Sequence, residues 1–365
     1  MRAIGLLAGV GSLLREAQDA GFDIVGNIET RTPYRTGRHL SWDLNFPHAA
    51  LVNRLDFTQV FEKGTQVDDF FEPDLAIGHP PCGSHSQLGN SGQPADKTTA
   101  ERRIMQARRH ARVGLLPLYT QHVRLLRPRM FVLDNLPKIL TTVAPPAWWH
   151  SELPGYRLTF ITMVNWDYGT PQLRKRLWIV GTRSTKPFTF VPTKQRVPGP
   201  LTATEAFEGL PWEPWKNNPT IGHVHVSPHM MLTGDYRTTV KDFSVTQASQ
   251  LGLGFLAIPP DRAWPYTTRF GRLAVKIGRQ RLDFGKRSRT LTGLPSIHHP
   301  LTGWPLTARE RARLMDWPDD FVLGNVNTMY DRTALMRLTL FTGKAVPSGF
   351  PRYLMPQLIK HLRRT

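Results

Sequence analysis

The feature that most constrains the fold is a strand, glycine turn, helix and second strand at residues 3–29. A short apolar run precedes Gly9 and Gly11, and apolar residues at helical spacing follow them. A second apolar run then ends at Glu29. This order predicts a βαβ unit, so we expect an α/β fold with a doubly wound, mostly parallel sheet.

The glycine turn and the acid after it favour a nucleotide-like ligand. Glycines at positions 9 and 11 let a ligand approach the backbone, and the Glu29 carboxylate can accept hydrogen bonds from both ribose hydroxyls. Phosphate-binding versions of the pattern have a third glycine where this chain has Leu14, so a nucleoside without phosphates is expected. An ordinary turn between strand and helix is the alternative.

Charge points to a polyanionic partner. The 365 residues include 47 Lys and Arg against 28 Asp and Glu, a formal net charge of +19. In a chain with enough apolar residues to fold, this excess is typical of proteins that bind nucleic acid. No run of about 18 apolar residues is present, so we expect no transmembrane helix and no membrane partner.

The single cysteine, Cys82, is the sharpest chemical feature. One thiol excludes an internal disulfide and zinc sites built on two or more thiolates, so we expect a cytoplasmic location. We also predict no metal cofactor. Two prolines fix the backbone before Cys82, which favours a pre-positioned nucleophile. A small buried apolar side chain is the alternative.

Further apolar patterns predict the elements beyond this opening. Strands are expected at 74–77 and 130–133, and a hairpin is expected from 156–164 and 177–181 across Pro171. A basic-faced helix is expected at 102–127 and a last helix at 348–363. Thr307 with Glu310 predicts a capping box at the start of a helix over 307–315.

Short motifs occur in a fixed order along the chain. They lie at residues 6–11, 29, 56–58, 80–86, 131–136, 167–176, 306–321 and 343–347. Together they resemble the motifs of the DNA cytosine-C5 methyltransferases, over about 1–183 and 286–362. The resemblance implies a Rossmann-like domain that binds a S-adenosylmethionine-type donor and modifies a cytosine flipped out of double-stranded DNA.

The resemblance also implies roles for individual residues. Cys82 would attack C6, Asp134 would bond N3, and two arginines would steady the ring and the thiolate. The implied catalytic residues are Cys82, Asp134, Arg174 and Arg176. The implied donor-binding residues are Leu7, Gly9, Gly11, Glu29, Asp56, His79, Pro81, Lys344 and Val346. A basic strand that faces DNA is the alternative for the arginines.

Six positions depart from the family's motifs, namely Leu7, Ser12, Thr30, His79, Asp134 and Lys344. Asp134 replaces a Glu, His79 replaces a Gly before Pro-Pro-Cys, and Lys344 replaces an Asn near the sulfonium end of the donor. A lysine repels a sulfonium but attracts a donor with a carboxylate on the transferred carbon. Lys344 therefore suggests carboxymethyl transfer from carboxy-S-adenosylmethionine, giving 5-carboxymethylcytosine. A conventional methyltransferase, with a solvated or phosphate-contacting Lys344, is the alternative.

Amino-acid composition divides the chain into three ranges, because Pro, Trp and Gly are frequent and long helical patterns are absent from about 186 to 285. We expect a catalytic and cofactor-binding domain at 1–185, a smaller, mostly irregular target-recognition domain at 186–285, and a C-terminal segment at 286–365 that returns to the catalytic domain. Trp212, Trp215 and Trp264 in the middle range would fill a small core or wedge into DNA.

The expected partner is duplex DNA, bound by a monomer. The expected DNA-binding residues are Ser86, Gln172, Arg269, Lys276 and Arg279. Two rival functions remain at this point. One is an inactive DNA-binding relative that keeps the charge and the fold, and the other is a modification enzyme that acts on tRNA.

Overall fold

The computed structural model of the chain describes residues 1–29, 41–53, 70–80, 115–210, 263–267, 273–283, 285–291, 297–299, 306–324 and 341–365. The strands are β1 (Arg2–Leu6), β2 (Asp23–Glu29), β3 (Ala50–Asn53), β4 (Leu75–Gly78), β5 (Met130–Asn135), β6 (Arg157–Val164), β7 (Lys175–Thr182), β8 (Ala263–Thr267), β9 (Leu273–Arg281) and β10 (Ile297–His298). The helices are α1 (Ser12–Asp19), α2 (Ser41–Asn45), α3 (Leu115–Leu126), α4 (Ile139–Thr142), α5 (Pro146–Glu152), α6 (Ala203–Ala206), α7 (Ala308–Leu314) and α8 (Gly349–Leu362), with a 3₁₀ turn at Asn165–Tyr168.

One large sheet forms the centre of the molecule. Its seven strands lie in the order β3-β2-β1-β4-β5-β7-β6. The first five of these run parallel, whereas β7 is antiparallel to both of its neighbours. The expected α/β fold with a mostly parallel sheet is confirmed. The chain reverses its winding direction between β1 and β4, and such a switch point opens a crevice beyond the carboxyl ends of the strands.

Both faces of this sheet are covered. In β5, Val132 points into one apolar cluster, whereas Phe131 and Leu133 point into the other. Helices α1 and α8 supply the first cluster and α3 supplies the second. Because a strand buried on both faces needs apolar residues at every position, this packing explains the continuous apolar runs of β1, β4 and β5.

The C-terminal helix packs against the start of the chain. Phe350, Leu354 and Leu358 of α8 lie in the same apolar cluster as Leu13 and Ala17 of α1. The end of α8 is also tied to the sheet, because the Arg129 guanidinium donates to the Leu362 carbonyl at 2.8 Å. The segment before α8 is thereby brought to the first βα turn.

Two local predictions are confirmed. Strands β6 and β7 pair as an antiparallel hairpin, with Phe160 opposite Ile179. Thr307 and Glu310 form the capping box at the start of α7, since each side chain accepts a hydrogen bond from the other residue's backbone N–H.

A second, smaller sheet lies at the end of the middle range. Strand β9 pairs antiparallel with β8 and parallel with β10. The range expected to be mostly irregular thus contributes two paired strands, while its residues 211–262 and 268–272 lie outside the described residues. Phe188, just past the predicted boundary at 185, packs in the apolar cluster of α1 and α8. The three domain ranges stay predictions.

Candidate active site

The turn after β1 has a left-handed backbone at three places. The φ angles are 60° at Leu7, 66° at Gly9 and 89° at Gly11. A Cβ atom on Gly11 would overlap the ring of Phe46, so only glycine fits there. Leu7 keeps its conformation with a buried side chain and a backbone hydrogen bond to the Ile28 carbonyl at 2.8 Å.

Glu29 braces this turn from the end of β2. The Gly9 N–H donates to Oε1 of Glu29 at 2.6 Å, and the carboxylate is buried. The structure therefore brings together Leu7, Gly9, Gly11 and Glu29, four of the residues expected to bind the donor. A carboxylate beside a close-approach glycine turn fits the ribose end of a nucleoside.

A compact charged cluster lies at the carboxyl ends of β4 and β5. Nδ1 of His79 is 2.9 Å from Oδ2 of Asp134, and Nε of Arg176 is 3.6 Å from the same oxygen. The Asp134 side chain is 0% exposed, and both contacts have ion-pair distances without the geometry of a hydrogen bond. A buried carboxylate needs a positive charge beside it, and the Arg176 guanidinium supplies one.

The strand register explains why these three residues meet. Gly78 of β4 pairs with Leu133 of β5, so the next residue of each strand, His79 and Asp134, lie side by side. Asp134 pairs with Trp178 of the antiparallel β7, and Arg176 lies on the same face of β7 as that tryptophan.

The segment of Cys82 begins at this cluster. The Asn135 amide donates to the carbonyl of Pro80 at 3.3 Å, which fixes the chain two residues before the cysteine. Pro81 and Cys82 lie outside the described residues, as do Asp56 and Ser86.

Residues 343–346 cross the crevice next to the cluster. Nε2 of His79 is 3.0 Å from the Lys344 carbonyl, while the Lys344 side chain is exposed. Ser12 at the start of α1 donates from Oγ to the Val346 carbonyl at 3.2 Å. This segment, which includes Lys344 and Val346 expected in the donor pocket, therefore links the glycine turn to His79.

Two predicted site residues have other partners in the structure. Arg174 was expected to steady the cytosine, but it is buried and Nη1 donates to the carbonyls of Leu291 and Gly343 at 3.3 and 3.2 Å. It holds the crevice-crossing segment in place. Gln172 was expected to contact DNA, but its side chain is 0% exposed. Its amide nitrogen donates to the Leu314 carbonyl and its oxygen accepts from the Leu291 N–H, so it stabilises packing on α7.

The role of the remaining DNA-binding candidates stays a prediction. Lys276 and Arg279 lie in β9, and Arg269 lies outside the described residues. The sequence did not reveal the contact between His79 and Asp134, because the motifs assigned His79 to the donor pocket. The signal was present as two departures from the motifs, at the ends of strands that lie side by side.

The described residues contain no group of three His, Cys, Asp or Glu side chains placed to hold a metal ion. None of their helices is long and apolar enough to cross a membrane.

Comparison with known proteins identifies the family. The model of the C-5 cytosine-specific DNA methylases matches residues 1–359. The type II methyltransferase M.XorII of Xanthomonas oryzae is 28% identical over 397 residues, which cover 99% of this chain and 85% of that protein. A crystal structure of a prophage-encoded DNA modification methyltransferase candidate from E. coli superposes with a TM-score of 0.64 at 20% identity, covering 100% of both chains.

A second solved structure is similar over nearly the same span. The S. pombe Dnmt2 methyltransferase superposes with a TM-score of 0.58 at 14% identity, covering 99% of each chain. The chain belongs to the C-5 cytosine-specific DNA methylases, a family that implies S-adenosylmethionine as co-substrate and DNA as substrate.

Proposed function

We propose that Cys82, Asp134 and Arg176 carry out cytosine-C5 transfer on a base flipped out of duplex DNA. The observation that carries this proposal is the buried Asp134 carboxylate beside His79 and Arg176, next to the hydrogen-bonded Pro80 that precedes the cysteine. Cytosine C5 is a poor nucleophile until a thiolate adds to C6. That addition moves electron density to N3, which must receive a proton.

The roles divide among the residues of the cluster. The Cys82 thiolate bonds to C6, and Asp134 gives a proton to N3. Arg176 holds the Asp134 carboxylate in place and balances its charge. Arg174 acts indirectly, through the crevice-crossing segment that it fixes at Gly343.

The donor fits the pocket around the glycine turn. Glu29 would accept hydrogen bonds from the ribose hydroxyls, and the Gly9–Gly11 backbone would let the nucleoside approach closely. Val346 lies next to this turn, because its carbonyl accepts a hydrogen bond from Ser12. When bound, the donor supplies the electrophilic carbon that C5 takes up. The C5 proton then leaves to solvent and the Cys82 sulfur leaves C6.

Lys344 supports a second candidate for the transferred group. Its backbone is fixed to His79 beside the catalytic cluster, and its exposed side chain starts from that point. At about 6 Å and an effective dielectric constant of about 20, an ammonium and a sulfonium repel each other by about 2–3 kcal/mol. A carboxylate on the transferred carbon reverses this sign. Carboxy-S-adenosylmethionine is therefore the candidate donor, and 5-carboxymethylcytosine the candidate product.

The experiment is a donor competition. Protein and mixed-sequence duplex DNA receive S-adenosylmethionine, carboxy-S-adenosylmethionine or both, and the digested nucleosides are weighed by mass spectrometry. A dominant 5-carboxymethylcytosine peak in the mixed reaction is expected if Lys344 selects the donor. The control K344N should then shift the product toward 5-methylcytosine. A 5-methylcytosine peak alone, unchanged in K344N, would leave the conventional donor.

A parallel trapping reaction separates an enzyme from an inactive relative. With the donor present, DNA containing 5-fluorocytosine should form a stable covalent adduct with the wild type and none with Cys82→Ala, because fluorine cannot leave C5 after transfer. Duplex DNA is proposed over tRNA because a net charge of +19 and a separate recognition range suit a long polyanion. Transfer to tRNA but not to duplex DNA would reverse that choice.

A further inference from the structure

Two departures from the motifs of the family contact each other in this structure. Where the family has Glu and Gly, this chain has Asp134 and His79, and their side chains are 2.9 Å apart. The imidazole occupies a place that glycine would leave open, beside an acid that is one methylene shorter. The imidazole therefore fills the volume that the shorter acid and a glycine at position 79 would leave empty.

The partners of His79 fix how many protons the pair holds. Nε2 is 3.0 Å from the Lys344 carbonyl, which only accepts, so Nε2 carries a hydrogen. Nδ1 faces two oxygens of Asp134, the carboxylate Oδ2 at 2.9 Å and the main-chain carbonyl at 3.4 Å. If neither atom carried a hydrogen, the lone pair on Nδ1 would point at the lone pairs of these two oxygens, which repel it. A second proton must lie on either Nδ1 or Oδ2.

Arg176 lies beside the oxygen that shares this proton. Its guanidinium is 3.6 Å from Oδ2 and both side chains are almost completely buried. The guanidinium has no acceptor atom and cannot take the proton, so the proton stays in the contact between Nδ1 of His79 and Oδ2 of Asp134. The cluster therefore holds a proton at the acid that must deliver it.

We infer that His79 is a positioning residue that holds the proton which Asp134 passes to cytosine N3. The inference rests on the proposed function of Asp134. As the Cys82 sulfur bonds to C6, the C5=C6 electron pair moves to C4=C5 and the C4=N3 pair moves to N3. The proton that His79 and Asp134 share passes from Asp134 to N3, which leaves the carboxylate ionised and the imidazole with its Nε2 hydrogen alone. The reverse transfers restore the proton when sulfur leaves C6.

The test measures the addition step without any donor. Addition of the thiolate to C6 makes C5 exchange its hydrogen with solvent, so the enzyme should place deuterium at C5 of cytosine in duplex DNA in D₂O. His79→Asn keeps an N–H near Asp134 but cannot give up a proton. We expect its exchange rate to fall about 100-fold, with DNA affinity within about twofold of the wild type. His150→Asn, the same change on the exposed face of α5, should leave the rate unchanged.

A double variant tests the compensation. D134E alone should slow exchange, because the longer acid crowds the imidazole. H79G/D134E restores the pair of residues that the motifs of the family have, and we expect it to regain most of the lost rate, which gives a non-additive cycle. If H79N melts early, His79→Gln, whose amide reaches the Lys344 carbonyl, is measured in its place with the same expected loss.

Three results would overturn the inference. The first is a rate of C5 hydrogen exchange in H79N that equals the rate of the wild type. The second is loss in H79N without recovery in H79G/D134E when both proteins melt at the wild-type temperature. The third is a loss that lies in DNA affinity and not in rate. Failure of the proposed function would be different, because the wild type itself would then show neither exchange nor a 5-fluorocytosine adduct.

Discussion

Single residues at the end of β1 are held in backbone conformations that few residues adopt freely. Leu7, Gly9 and Gly11 all have positive φ, and such a conformation costs a residue with a side chain about 1–2 kcal/mol. Leu7 bears that cost because its side chain is buried and its N–H is bonded to Ile28. The turn is therefore shaped before a ligand arrives, which suits a site where backbone and ligand come close.

The glycine at position 11 offers a test with a matched control. Gly11→Ala combines a positive φ with overlap on Phe46, and we expect it to lower the free energy of unfolding by about 3 kcal/mol and to weaken donor binding. Gly21→Ala has a φ of 104° but no atom within 4 Å, so it should cost only the backbone strain, about 1–2 kcal/mol. Denaturant unfolding measures both, and equal losses would contradict the crowding at Gly11.

At the scale of elements, helix α7 begins with a buried acid. Burial raises the pKa of Glu310 to about 7 from an ordinary value of 4.5, although its hydrogen bonds to Thr307 act in the opposite direction. Asp316, just after α7, behaves alike, since burial raises its pKa to about 6 while Arg352 of α8 lowers it. Glu310 caps the start of α7, whereas Asp316 connects the end of α7 to Arg352 of α8.

This burial predicts how stability depends on pH. Between about pH 4.5 and 7 the folded state binds more protons at Glu310 than the unfolded state does, so stability falls as pH rises through this window. Glu310→Gln keeps the capping box without the charge. We expect the variant to match the wild type near pH 4 and to exceed it near pH 8, measured as the difference between the two denaturation midpoints. This difference removes the parallel contribution of Asp316, and a difference independent of pH would refute the prediction.

At the scale of the whole molecule, charge and topology act together. The crevice lies where the sheet changes winding direction. The placed members of the site lie at the carboxyl ends of parallel strands, at the amino end of the antiparallel β7, or on the segment that crosses there. A net charge of +19 attracts DNA over the whole surface but carries no sequence information by itself.

The basic strand β9 should contribute to this attraction through phosphate contacts. Arg279→Gln is expected to weaken binding to all duplex sequences alike and to reduce the slope of log affinity against log salt by about 1. Lys360→Gln, an exposed change on α8, removes the same charge far along the chain from β9 and should leave the slope unchanged. Binding titrations between low and moderate salt measure both slopes. A change in base preference with an unaltered slope would show a base contact instead.

Much of the fold was accessible from the sequence because its signals are local. The βαβ opening, the β6–β7 hairpin and the capping box of α7 each depend on residues close together in the chain. The contacts of the Gln172 and Arg174 side chains could not be predicted from the sequence. Their partners, Leu291, Leu314 and Gly343, lie more than a hundred residues away along the chain. A motif match identifies such residues, but it does not indicate whether their side chains contact substrate or neighbouring backbone.

Residue order and spacing are enough to establish the α/β class, the glycine turn with Glu29 and the family. The contact of His79 with Asp134, 55 positions away, and with Arg176 on the other side of that carboxylate, depends on the folded sheet. That contact depends on which strands are neighbours and in what register they pair. Strand order follows from the packing of the whole sheet, and no local stretch of residues encodes it.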